Sequence, residues 1–167
     1  FAVNTEACEG ELFGSYYLKI RGHMTGKFED LLYDAVWHPA MQEFLQNSQS
    51  IGPNSKSAKW RREEGKIAAI NENLARELLE LFTLTPSAGY SQEDVNNVAY
   101  ILTGYGRIDD DDDDVDDKYF SIKPNEPGNH KVLGKVYKQS ASKKLRALCI
   151  DLAKDPRTAL HIATKLS

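Results

Sequence analysis

Apolar residues recur along most of this chain at the spacing of a helix rather than of a strand. Phe28, Leu31, Leu32, Ala35 and Val36 fall at i, i+3, i+4, i+7 and i+8, one face of an amphipathic helix. His38-Pro39 ends it, because the residue before a proline avoids the helical region; Pro39 can then open a short helix with Met41, Phe44 and Leu45 on its apolar side. Residues 47–59 are rich in Ser, Asn, Gly and Pro and read as a loop. The strongest helical pattern runs over about 71–84. After a turn at 86–89, Ser91 and Asp94 have the spacing of a capping box; Val95, Val98, Ala99 and Leu102 continue that helix, and Gly104 stops it. Two strand-like runs, 119–122 and 131–137, are separated by Pro124, Pro127 and Gly128, the composition of a small hairpin. Leu145, Leu148, Cys149 and Leu152 mark a further helix. Asp155-Pro156 starts the last one, with Ala159, Ile162, Ala163 and Leu166 expected to face inward. The pattern predicts a single all-α, multi-helix domain over 1–167, with about six to eight helices and a β-hairpin between residues 119 and 137.

On a wheel of 100° per residue, Leu74, Ala75, Leu78, Leu79, Leu81 and Phe82 sweep an arc of roughly 160°. An arc that wide means burial against several neighbours, so this helix is expected to be the most buried, flanked by those at Phe28 and Val95. Glu72, Arg76 and Glu80 lie opposite at i, i+4 and i+8 and can pair along the surface. Glu77 falls at the edge of the apolar arc, with Asn73 four residues before it and Glu80 three after. Two readings stand. In one, Glu77, Glu80 and Asn73 are catalytic or metal-binding candidates, since hard cations want several oxygens. In the other, Glu72, Asn73, Arg76, Glu77 and Glu80 form a structural polar network in which a base or a helix N-terminus satisfies Glu77.

Composition narrows the classes. The chain has 167 residues, 41% hydrophobic and 28% charged, long enough to bury a sizeable core. No apolar run reaches 18 residues, so no membrane span is expected, and residues 1–6 lack the regions of a signal peptide. A start without Met and a stop in mid-pattern at 165–167 read as a piece of a longer protein. The net charge of −4 conceals eight aspartates within 109–117; without them 17 acids face 21 bases. Self-repulsion predicts a solvated, disordered-like acidic loop over 108–118, and the run has neither the turn glycine nor the ligand spacing of a calcium loop. The remaining positive charge is too slight to suggest a nucleic-acid partner. Cys8 and Cys149 are too few for a disulfide framework and too far apart for a zinc site; whether they pair is left open. His23, His38, His130 and His161 show no metal-ligand spacing, and neither a nucleophile elbow nor a phosphate loop is present. His161 is expected to point away from its helix's apolar face.

Residues 71–84, Asn-Glu-Asn-Leu-Ala-Arg-Glu-Leu-Leu-Glu-Leu-Phe-Thr-Leu, resemble a motif of the domain-of-unknown-function 1800 family. Gly89-Tyr90-Ser91-Gln92-Glu93-Asp94-Val95 and Leu102-Thr103-Gly104-Tyr105 resemble its GYTxxDV and LTGW stretches. Upstream, 26–32 and 38–41 resemble G-x-F-x-x-LL and PAM; downstream, Lys131-Val132-Leu133-Gly134 and Asp155-Pro156-Arg157-Thr158-Ala159 resemble K-x-x-LG and HPxTA. The matching positions include Asn71, Thr83, Gly89, Asp94, Thr103, Gly104, Lys131, Gly134 and Thr158. Many members carry His at the position of Phe82 and a His-Asp pair at Asn125-Glu126, and a Trp-His-Asn-His stretch would precede Phe1. The resemblance implies a fold but no reaction and no cofactor. It also implies export, hence a periplasmic or extracellular setting, and a sulfatase-like partner protein. Two functions follow: a non-catalytic helical scaffold or interaction module, or a metal-dependent, hydrolase-like enzyme using the Glu/Asn cluster. A base closing on Glu77 would favour the first; a second carboxylate around an empty pocket would favour the second.

Overall fold

The structure is a computed structural model that describes residue 3 and residues 10–106, 115–117 and 119–167. Most of the predicted acidic loop at 108–118, and Cys8, lie outside the described residues. Helix α1 (Gly10–Gly22) leads to α2 (Phe28–Trp37), which buries Leu32, Ala35 and Val36 as its spacing requires. The chain leaves α2 at His38, whose extended backbone and ring make it the N-cap of α3 (Pro39–Phe44), with Pro39 in the first turn. A single 3₁₀ turn (Asn47–Gln49) and α4 (Lys56–Glu63), capped by Ser55, occupy the stretch read as a loop.

The 71–84 pattern is helical throughout but not α-helical throughout. Helix α5 (Asn73–Glu77) passes into a π-helical segment, Leu78–Thr83. There the Leu84 N–H reaches back five residues to the Leu79 carbonyl at 2.8 Å, and the Thr83 hydroxyl donates to Leu78 O at 2.6 Å. The wider π turn rotates the chain less per residue than an α turn, so the wheel loses phase after Glu77. Leu81, expected inward, is 45% exposed, while Thr83 is fully buried.

Helix α6 (Gln92–Leu102) carries the predicted capping box and buries Val95, Val98, Ala99, Ile101 and Leu102. It packs against α5, as expected, whereas α2 packs chiefly against α7 (Ala141–Lys154) rather than against α5. The β excursion is present but divided. Strand β1 (Val115–Asp117) pairs antiparallel with β2 (Phe120–Ser121), and β3 (His130–Val132) pairs with β4 (Lys135–Tyr137). The 131–137 run therefore folds back on itself instead of pairing with 119–122. Its two-residue turn, Leu133 (φ 50°) and Gly134 (φ 83°), has the left-handed backbone that matches strand twist.

The inward face predicted for α8 (Pro156–Leu166) also needs correction. Thr158 is its one buried residue, whereas Ala159, Ala163 and Leu166 are exposed. The face turned to the body is 158, 161, 162 and 165, so Ile162 is half-buried as expected; His161 Nε2 lies 3.3 Å from Leu81 O, and Lys165 Nζ donates to the same carbonyl at 3.0 Å. The open π turn leaves that carbonyl for α8's polar residues to bind, and Ala159, Ala163 and Leu166 turn outward. One hydrophobic cluster joins α2, α3, α5, the π segment, α6, α7 and the strands.

Candidate functional site

The residues singled out on the central helix divide between two neighbourhoods. Asn71 fastens the helix start: its Oδ1 accepts the Asn73 N–H at 2.9 Å, its Nδ2 donates to Leu45 O at 3.2 Å, and the Ser50 hydroxyl accepts its N–H at 2.9 Å. Glu72 accepts from Arg76 at 2.5 Å and from Gln92, at the start of α6, at 3.1 Å. Arg76 also donates to Gln92 Oε1 at 2.9 Å. Glu80 stands on this side too, where burial first, and then the charge of Glu80, raises the Tyr90 hydroxyl above its ordinary pKa against the opposing charge of Arg76. Asn73 is exposed.

Glu77 faces elsewhere. It is half-buried and shares a hollow of about 420 Å³ with Met41, Phe44, Leu45, Leu81, Phe82 and Lys165. Among the described residues its carboxylate makes no hydrogen bond or ion pair, and no group of three or more His, Cys, Asp or Glu is arranged to hold a metal ion. Neither the expected base nor a second carboxylate closes on it. A second hollow of about 430 Å³ shares Leu81, Phe82 and Lys165 and extends past Met24, Phe28, Ile162 and Leu166. Together they form a groove with exposed apolar rims: Met24 is 73% and Leu166 84% exposed. Phe82, where many family members carry His, is part of its apolar wall.

The remaining motif residues tie elements together. Asp94 Oδ2 accepts the N–H and hydroxyl of Ser91 at 2.8 and 2.7 Å, and its Oδ1 accepts the Leu133 N–H at 2.7 Å. Burial is the largest single influence on this carboxyl and opposes its charge. The bonds from Ser91 and Leu133 and the charge of Lys131 outweigh it and hold the pKa below the usual carboxylate value. Asp94 thus locks the β3–β4 turn to the start of α6 through Leu133, with the charge of Lys131 near it and Gly134 (φ 83°) shaping the turn, while Gly89 (φ 82°) supplies the left-handed residue before α6. Thr103 Oγ1 accepts the Glu126 N–H at 2.8 Å, and Thr103 O accepts from Asn125 Nδ2 at 2.6 Å. Gly104 (φ 94°) leaves room for the chain crossing it, since a Cβ there would lie 2.4 Å from Ser121 O. Thr158 is buried in α8 with its hydroxyl unpartnered among the described residues.

Sequence reasoning missed a buried polar group beside Thr103. Both carboxylate oxygens of Glu126 are taken by Asn54, from its N–H at 2.8 Å and its Nδ2 at 2.6 Å. His130 Nε2 lies 3.3 Å from Glu126 O; burial first, and then the charge of Lys144, lowers this ring's pKa against the pull of Glu126. The signal was legible at Lys144, which occupies the apolar phase of α7 four residues before Leu148. Asn54 gave none, because its partner lies 72 residues away. Cys149 is a free, buried thiol whose pKa burial raises.

The sequence pattern of the family described as "Protein of unknown function (DUF1800)" matches residues 1–167, and the chain belongs to that family. No curated protein and no solved structure matches the chain.

Proposed function

We propose that this DUF1800 chain is a non-catalytic helical interaction module that takes a partner's amphipathic, base-bearing helix in the groove between α3, the π segment and α8. The observation that supports this reading is Glu77, a half-buried carboxylate that makes no hydrogen bond or ion pair among the described residues, in a mainly apolar trough whose other charged side chain, Lys165, donates to Leu81 O instead. A carboxylate so placed needs a cation, and an incoming Lys or Arg supplies one while leucine-like side chains cover Leu81, Phe82 and Leu166. The residues named for the enzyme reading do not converge, since Glu80 stands on the α6 side with Glu72 and Arg76, Asn73 is exposed, and Glu77 faces the groove.

The test is binding of an amphipathic helical peptide with leucines at i, i+3, i+4 and i+7 and one central lysine, followed by fluorescence anisotropy. Leu81→Asp, at an exposed position, should abolish binding without unfolding the chain, and Glu77→Gln should weaken it. Equal binding by the wild type and both variants would contradict the reading. A divalent ion bound one to one by the wild type and lost in Glu77→Gln would favour the enzyme instead.

A further inference from the structure

Helix α7 buries Leu145, Leu148, Cys149 and Leu152, and in the same phase it buries a lysine. Lys144 is 4% exposed, makes no hydrogen bond or ion pair among the described residues, and burial alone lowers its pKa. Holding an ammonium group there without a counter-charge destabilises the fold, so a side chain retained in that state invites a ligand explanation. Lys144 lines a cleft of about 450 Å³, within the range of small-molecule sites. Three more lysines, Lys56, Lys59 and Lys138, stand on its wall, and among the described residues no Asp or Glu does. The nearby carboxylate of Glu126 is already spent on Asn54.

The rest of the wall suits an anion with an organic body. Asn129 and Gln139 offer amide donors, and Ile122 and Pro127 offer apolar surface. Ala141, the first residue of the 14-residue helix α7, also lines the cleft and brings the positive end of that helix's dipole to it. Lysines act as point charges suited to phosphate oxygens, without the planar fork that carboxylates favour in arginine. We infer that this cleft binds a small phosphate-type oxyanion carrying two or more charges, with Lys144 as its buried anchor and Lys56, Lys59 and Lys138 as its rim. The site is separate from the groove around Glu77 and shares no lining residue with it.

Thermal unfolding of the chain with increasing inorganic pyrophosphate, at ionic strength held constant with potassium chloride, tests the inference. The wild type should show a saturable rise in Tm. Lys144→Met should unfold at a higher temperature than the wild type without pyrophosphate, because it removes an unpaired buried charge. It should also bind pyrophosphate about tenfold more weakly or worse. That pairing of a more stable fold with a lost ligand distinguishes an anchor from a structural lysine. Equal saturable shifts in both proteins, or no saturable shift in the wild type, would overturn the site. Should Lys144→Met fail to fold, the exposed double variant Lys59→Gln/Lys138→Gln decides: weakened binding supports the site, and unchanged binding overturns it. Tighter binding of glycerol phosphate than of inorganic phosphate would show that the Ile122–Pro127 surface holds an organic body.

Discussion

Glu72 and Glu77 are five residues apart and about equally hydrophilic, yet they are held by different things. Glu72 has Arg76 and Gln92 at hydrogen-bond distance, in a partly solvated network that double substitutions elsewhere value at well below 1 kcal/mol. Glu77 has no donor to strand among the described residues. Both alanine variants should therefore lose less than about 0.5 kcal/mol in urea unfolding, while only Glu77→Ala should weaken peptide binding. The outcome is opposite at Gly104. Its left-handed backbone and the 2.4 Å approach to Ser121 O leave no room for a side chain. Gly104→Ala should cost at least about 2 kcal/mol, measured by the same unfolding curves. Sequence spacing revealed Gly104 as a helix stop but not as a crossing point, because the crossing chain arrives from residue 121.

At the scale of elements, local rules held wherever one rule acted alone. The Ser91–Asp94 box, Pro39 and Pro156 at helix starts, and the buried face of α2 all follow from residues within one or two turns. The wheel failed at Leu81 and Thr83 because it assumed one turn geometry through a segment that changes to another. Helix α8 misled for a related reason: its polar face has the Leu81 carbonyl to bind, so Ala159, Ala163 and Leu166 turn outward and only Ile162 of the expected face is half-buried. The junction between α6 and the β3–β4 turn should be sensitive to Asp94→Asn, which weakens a cap and a long-range bond together, at about 1–2 kcal/mol.

The α2–α3 junction carries a pH dependence. His38 accepts the Ala40 N–H at Nδ1, at 3.2 Å, so Nε2 carries the proton and donates to the Ser15 hydroxyl at 3.2 Å. Burial first, then Lys19, lowers its pKa to about 4 from an ordinary 6.5, against the opposing charge of Asp34. The unfolded chain then binds the proton more readily than the folded one. Stability should fall as pH drops from about 6.5 to about 4, by at most about 1.4 kcal/mol per unit from this group, and level off outside that window. His130, lowered in the same direction, adds to the slope. His38→Asn keeps a capping side chain without the titration and should flatten that part of the profile in urea titrations from pH 4 to 7.

At the scale of the molecule, a helical body with a small β excursion was legible because most of the core rests on i, i+3 and i+4 spacings. The two proposed binding features were only half legible. Spacing marked Glu77 as a border residue and passed over Lys144 despite its apolar phase, and the surroundings of both are assembled from distant segments: residues 41–45 and 165 around Glu77, and 54–59 and 122–139 around Lys144. Membership of DUF1800 supplies a family without a reaction, so function rests on these surfaces. No helix among the described residues is long and apolar enough to cross a membrane.

The central claim, that Glu77 reads a base on an incoming helix, is tested most directly by a charge-swap cycle. Two otherwise identical amphipathic peptides, one with a central Lys and one with Glu, are titrated into the wild type and into Glu77→Lys. The account predicts that the wild type prefers the Lys peptide and Glu77→Lys the Glu peptide, with a coupling energy of about 1 kcal/mol. The same order of preference in both proteins would contradict it.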